Sequence, residues 1–317
     1  MNVSRRILFR LATSERFEEL ARRRLRLEEP AYRAALRYVA GRTLDDALAV
    51  ARDLSGKGLA SSLDFFGEQV SDPEAARIAA DRYLELARAV RELNTDVYVS
   101  IDLSHVGLDI SADFCREQLE RIIRELPTDC RIQVGAEDAA RTDRVIEVIL
   151  ALAKVSAPAM ATLQANLRRS PADGDRLTEA GIPIRLVKGA YVEPPSVAHP
   201  WGEATDTAYV RLAHKLAGAK AELAIATHDR VICEALLLAL PWLKVEMLLA
   251  SDPMTPRPWH SVVTMFGFTC RMGRTGSDTG CVGWPSHKAP IQLTPERWAV
   301  CAYVGQSTAI DNFPRLR

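Results

Sequence analysis

Two basic side chains on one apolar segment carry the most specific chemistry in this sequence. In IRLVKGAYVEPP (184–195), Arg185 and Lys188 are followed by Gly189, where the missing Cβ lets a ligand approach the backbone. Arg185 offers a fixed fork of donors and Lys188 a point charge. The pair suits an anionic or electron-rich planar group, such as a flavin ring or a pyrophosphate. It equally suits an interior barrel Lys–Glu pair, and the residues alone leave both readings open. ATHDR (226–230) supplies Thr227 and His228. A metal role for His228 lacks support, because no HxH, HExxH or CxxC accompanies it. Hydrogen bonding to a bound cofactor is the favoured reading. His105, in SHVG (104–107), reads as loop structure. Neither GxGxxG nor GxxxxGK[ST] occurs, so a Rossmann dinucleotide site and a P-loop are unsupported.

These residues need elements to hold them. Short apolar segments recur at SSLDFFGE (61–68), VYVSIDL (97–103), RIQVGAE (131–137), APAMATLQAN (157–166), IPIRLVKGAY (182–191), ELAIATHD (222–229) and LKVEMLL (243–249). Amphipathic stretches such as ADFCREQLERIIRELP separate them. Strand–helix alternation of this kind predicts βαβ units and a parallel sheet. Seven strands with one more expected predict an α/β, (β/α)8 barrel; a doubly wound open sheet is the alternative. Glu68, Asp102, Glu137, Gln164, Arg185, Lys188, Thr227, His228 and Glu246 all fall at or near the C-terminal half of their segments. Polarity returns at any strand's end, but seven successive strands predict one shared polar mouth, the end where a barrel carries its active site.

Ahead of the alternation, residues 1–59 read as an N-terminal helical segment. Thr43 and Asp46 predict an N-cap with an acidic first turn, and Gly56 and Gly58 a stop. Residues 60–250 read as the barrel and 251–317 as an aberrant tail. The 317 residues carry no net charge and a pI near 7.0, so bulk electrostatics favour no nucleic-acid partner. Six scattered cysteines make no disulfide framework, and a reducing cytosol is the default. No signal-peptide pattern and no spanning apolar run are read.

The ordered set AEDAARTD, LQANLRRS, RLVKGAYVEP, IATHD and VEMLL, entered through YVAGRTLDDALAVARDLSGKGLASSLDFFGE, resembles the proline dehydrogenase family over roughly residues 35–250. The resemblance implies FAD at the C-terminal mouth of a barrel, contacted by Ala136, Gln164, Arg185, Val187, Lys188, Gly189, Ala190, Thr227 and His228. It places Arg185 near the reactive flavin nitrogen and Tyr191 against the substrate. It implies oxidation of L-proline to Δ1-pyrroline-5-carboxylate, with electrons passed to a quinone and product to a pyrroline-5-carboxylate dehydrogenase. The quinone implies peripheral contact with the inner face of a membrane. Three positions depart from the family's pattern. Asp102 stands where a lysine is usual, Gly135 where an aspartate is common, and Asn166 where tyrosine is frequent. Two readings of Asp102 stand open: it compensates for the carboxylate lost at 135, taking over part of a charge network, or it marks a related imino acid substrate.

After LKVEMLLA the period collapses. FTCRMGRTGSDTGCVGWPSH (268–287) looks at first like a metal or glycine loop. The family has here an eighth strand, a VPYG-like turn and a helix whose two adjacent arginines clamp the substrate carboxylate. Reading the third base of each codon with the first two of the next recovers that element. Phe268–Thr269 allows Tyr, Thr269–Cys270 Val, Cys270–Arg271 Pro, Arg271–Met272 Tyr, and Met272–Gly273 forces Gly. Continued, the frame permits YVPYGADWFRYWLRRMAES. A one-base loss after codon 249 is therefore expected, with the eighth strand and last helix lost or scrambled. Three functions follow as expectations: an active flavoenzyme, a catalytically impaired remnant, or a (β/α)8 enzyme without flavin.

Overall fold

A computed structural model describes residues 40–246, apart from 42, 58–59, 66, 94–96, 129 and 156–157. The N-terminal helices read ahead of residue 40 and the tail over 251–317 lie outside the described residues, as does the side chain of Glu246.

The chain alternates strands and helices. α1 (Leu44–Gly56) precedes β1 (Ser61–Asp64), α2 (Pro73–Leu93) and β2 (Val97–Ile101). A 3₁₀ turn (Leu103–Val106) leads to α3 (Ala112–Glu125), β3 (Ile132–Val134), α4 (Thr142–Lys154) and β4 (Ala159–Gln164). Then follow α5 (Ser170–Glu179), β5 (Ile184–Val187), α6 (Glu203–Gly218), β6 (Leu223–Ala226), α7 (Arg230–Ala239) and β7 (Lys244–Glu246). The start of α1 forms as read: Thr43 Oγ1 accepts from Asp46 N at 3.1 Å, and Asp46 Oδ2 accepts from Thr43 N at 3.0 Å. This reciprocal capping box satisfies two donors that a helix start otherwise leaves orphaned.

The seven strands pair in sequence order, and every pairing is parallel. A doubly wound sheet requires a reversal of strand order, so that alternative is excluded. Curvature is shown by one bond. Tyr191 Oη, just past β5, donates to Glu68 Oε2, just past β1, at 3.2 Å. In a flat sheet those strands would lie about 19 Å apart, four interstrand spacings. The sheet therefore curls as a (β/α) barrel does. Among the described residues β1 pairs only with β2, and β7 only with β6; the expected eighth strand falls outside them.

A period of two divides each strand. Leu63, Val97, Val99, Ile101, Ile132, Val134, Ala161, Leu163, Ile184, Leu186, Leu223 and Ile225 join the helices in the apolar core. The residues between them do not join it, and most of the buried ones, Ser62, Asp64, Ser100, Gln133, Gln164 and Arg185 among them, are polar. They face the concave lumen. The barrel is thus greasy outside its strands and polar inside, as a ligand-holding lumen requires.

Candidate active site at the barrel mouth

The lumen-facing period delivers opposite charges to one space. Asp64 ends β1, Asp102 follows β2, and Arg185 is the second residue of β5, on the other side of the curl. Asp64 and Arg185 are both buried. Burial pushes the Asp64 carboxyl up to about 7, although Tyr83, Arg185 and Ser100 all favour its charged form. Tyr83 Oη lies 2.8 Å from Asp64 Oδ1 and 2.7 Å from the Phe65 carbonyl oxygen, its one proton shared between these two acceptors. Burial also raises Asp102, helped by the charges of Asp64, Glu137 and Glu68 and opposed by that of Arg185.

Glu137, past β3, is buried and raised to about 7 by that burial. Its Oε1 accepts from Ser104 N at 2.7 Å, which closes the 3₁₀ turn onto β3. Tyr191 sits under the same carboxylates. Burial, then Glu68, Asp102 and Glu137, hold its phenol well above the usual value, so it stays a hydrogen-bond donor at neutral pH.

The other expected residues form a second cluster. Gln164 ends β4; its Nε2 donates to the Glu137 carbonyl at 2.7 Å, and its Oε1 lies 3.4 Å from Ala190 N. Lys188 Nζ donates to Asp206 at 2.6 Å and Asp229 at 2.8 Å. Burial opposes the charge on Lys188, but these two bonds outweigh it and raise its pKa. Asp229 also caps α7, accepting from Ile232 N at 3.2 Å. Thr227 Oγ1 accepts from Asp229 N at 3.1 Å, and His228 lies exposed at the rim with its pKa lowered by the protein packed beneath it.

Arg185 and Lys188 are not brought to one spot. Arg185, within β5, faces Asp64 and Asp102, while Lys188, just past the strand's end, is held by aspartates rather than by a barrel glutamate. SHVG is not the loop expected from sequence. It is the 3₁₀ turn, and His105 is fully buried with its ring 5.2 Å from Phe65 and 5.8 Å from Tyr83. Burial pushes its pKa down to about 4, so it packs as a neutral ring. Sequence reading missed Asp64, Tyr83, Asp206 and the turn-closing role of Glu137. Only Asp64 left a signal, lying two residues from Ser62 on the lumen parity.

Small residues at the mouth let neighbouring polar side chains approach the backbone. Ala136 and Ala190 bear only methyls, and Gly135 and Gly189 bear nothing. Gly189 has φ +110°, and a Cβ there would fall 2.0 Å from Asn166 Oδ1. Gln164 and the two charge clusters surround this backbone with donors and acceptors, a set that fits a planar, polar-edged ring. Asn166 Oδ1 is buried without a hydrogen-bond partner among the described residues. No group of His, Cys, Asp and Glu among those residues is arranged to hold a metal.

A curled parallel barrel with a charged, glycine-lined mouth defines the class: a (β/α) barrel protein with its site at the C-terminal strand ends. A model of the proline dehydrogenase family matches residues 47–240, and the chain belongs to that family. A proline dehydrogenase of Deinococcus radiodurans is 31% identical over 236 residues, which cover 73% of this chain and 74% of that protein. Proline dehydrogenase 2 of Bacillus subtilis is 28% identical over 197 residues, 62% of this chain. The match spans 65% of that relative's length. Among solved structures, proline utilization A from Bdellovibrio bacteriovorus superposes with a TM-score of 0.58 at 20% identity, covering 64% of this chain and 26% of that one. Proline utilization A of Bradyrhizobium japonicum gives 0.55 at 23%, covering 66% and 25%. These two likenesses bear on the fold. No helix among the described residues is long and apolar enough to cross a membrane.

Proposed function

We propose that this protein oxidises L-proline, or a close imino acid, to Δ1-pyrroline-5-carboxylate with FAD bound at the barrel mouth. The observation that carries the reading is the mouth of a proline dehydrogenase family barrel in which Arg185, Tyr191 and four carboxylates face one lumen. Ala136, Gln164, Arg185, Val187, Lys188, Gly189, Ala190, Thr227 and His228 would hold the cofactor. FAD would supply the hydride-accepting ring. Arg185 would place positive charge where electron density arrives. Asp102 would balance that charge, and Tyr191, kept protonated, would orient the substrate by hydrogen bonding. A quinone as electron acceptor, a pyrroline-5-carboxylate dehydrogenase as consumer of the product and contact with the inner face of a membrane complete the proposal.

The test is optical. The purified full chain should show a flavin spectrum that bleaches anaerobically on adding L-proline. A colourless protein, or a yellow one that no imino acid bleaches, overturns catalysis by this chain.

One observation favours a second reading, an impaired remnant. The family match stops at residue 240, ahead of the tail whose neighbouring frame permits YVPYGADWFRYWLRRMAES. We propose that a one-base loss after codon 249 removed a carboxylate clamp. Charge-assisted hydrogen bonds are worth about 1.5–3 kcal/mol each, so losing two arginines would cost several kcal/mol of substrate binding. Restoring one base should then give flavin retention and turnover that the chain as written lacks. Equal turnover by both versions would sink the remnant reading.

A further inference from the structure

We infer that Asp102 and Gly135 work as one unit: they deliver a single carboxylate to the lumen from β2, and that carboxylate positions Arg185. The two residues are the next lumen-facing pair above Ser100 and Gln133, which are in register. Gly135 N continues the ladder, donating to the Ile101 carbonyl at 2.9 Å. A Cβ built on Gly135 would lie 1.8 Å from Asp102 Oδ1 and 3.0 Å from its Cγ, whereas the next atom, the Ile101 carbonyl oxygen, is at 3.6 Å. Gly135 is not among the glycines with positive φ, so its backbone makes no demand for glycine. The demand comes from the Asp102 carboxylate alone.

Asp102 has a simpler role open to it and does not take it. It stands at the N-cap of the 3₁₀ turn, where aspartate commonly accepts from a following N–H. Its side chain makes no such bond. Glu137 supplies that acceptor instead, to Ser104 N. The Asp102 carboxylate is thereby left to the lumen, which the buried Arg185 enters from β5, and the Arg185 charge acts on it there. A carboxylate there would be reached equally well from position 135 once position 102 is small.

The experiment moves the carboxylate between strands in the full chain. Gly135→Asp alone should melt at least about 5 °C lower, because two side chains claim one volume. The pair Asp102→Ala with Gly135→Asp should melt above Gly135→Asp alone. A double variant no more stable than Gly135→Asp overturns the shared volume. Positioning is read by coupling: Asp102→Asn and Arg185→Met should be clearly non-additive in thermal unfolding, whereas additive effects overturn it. The kinetic arm rests on the oxidation proposed above. There Asp102→Ala should lower kcat at least about tenfold with little change in KM, and the transplanted carboxylate should restore kcat to within about threefold. Unrestored kcat overturns positioning. If the melting pattern holds while even the unmodified chain fails to oxidise proline, the oxidation reading fails and the carboxylate unit stands.

Discussion

The two ends of the barrel hold the same kind of side chain in opposite states. At the foot, Glu222 precedes β6 and takes both oxygens to Arg131, at 2.6 and 3.0 Å, and one to Lys244 at 3.1 Å. The bond from Arg131 holds its carboxyl below the usual range. At the mouth, Asp64 and Glu137 are pushed up to about 7, chiefly by burial. Both ends use the lumen parity of their strands. The foot pairs its carboxylate with two cations in partial contact with water. The mouth encloses Asp64, Glu68 and Glu137 and half-buries Asp102, with Arg185 as the lumen cation and Arg141 at the edge. Perturbed carboxyls in a concave lumen are the pattern of a functional site, and paired ones at a rim that of a strut.

Removing the lumen cation should break the contrast most. Arg185→Ala leaves the buried Asp64 and the half-buried Asp102 in one lumen without that cation. Stripping a buried charge of its partner costs about 3–5 kcal/mol. In a domain of this size that lowers the melting temperature by about 10 °C. The loss should shrink at pH 5, where Asp64 carries its proton and needs no partner. A shift under about 2 °C at pH 8 would show that Arg185 does not hold the mouth together.

The next effect separates the ends by pH. Asp64 and Glu137 have folded pKa values raised to about 7 from usual values of 3.8 and 4.5, and Asp102 is raised too. Their contribution is full below the unfolded values and lost as pH rises through the folded ones. His105, depressed from 6.5 to about 4, acts in the opposite sense, and so does the lowered His228. Among the described residues, three raised carboxyls against two lowered imidazoles leave a net loss with rising pH, about 1.4 kcal/mol per pH unit per uncompensated proton. Glu222 is depressed, so its contribution is lost only as pH falls below its usual 4.5. Melting curves from pH 5 to 8 should decline toward pH 8. In Asp64→Asn, which keeps an acceptor for Tyr83, the decline should flatten by about one proton's worth. An unchanged slope would mean that Asp64 does not titrate in this window.

Much of this architecture was legible before any coordinates, and the failures have physical reasons. Alternating apolar and amphipathic segments gave strands, helices and a polar mouth because burial periods of two and 3.6 are local properties. The Thr43–Asp46 cap was readable for the same reason. Closure was not: the Tyr191–Glu68 bond joins residues on opposite sides of the curl, and no local pattern announces it. Arg185 and Lys188 look like partners because they are near in sequence, although Arg185 lies within β5 and Lys188 just past its end, where two aspartates hold it. SHVG looked like a loop because a lone histidine gives no hint that Phe65 and Tyr83 enclose it. The departures at 102 and 135 were linked in the sequence by charge alone, one carboxylate standing in for another. Their steric link became visible only where adjacent strand ends place one carboxylate in the other's missing side chain.

The smallest expected effect lies at the foot. Glu222→Gln keeps the shape and one acceptor but removes the charge that joins β3, β6 and β7. The side chains involved are 33% exposed for Arg131, 41% for Glu222 and 44% for Lys244, so water and salt already screen them. Pairs of this exposure are worth about 0–1 kcal/mol. The bidentate contact from Arg131 places Glu222 toward the upper end of that range. The variant should melt no more than about 2–4 °C lower, and less at 1 M salt than at 0.1 M. Flavin retention should be unaffected, because the foot and the mouth lie at opposite ends of the strands. A loss as large as that of Arg185→Ala, or one indifferent to salt, would mean that the foot network is structurally coupled to the mouth. The division between a supporting end and a reactive end would then have to be given up.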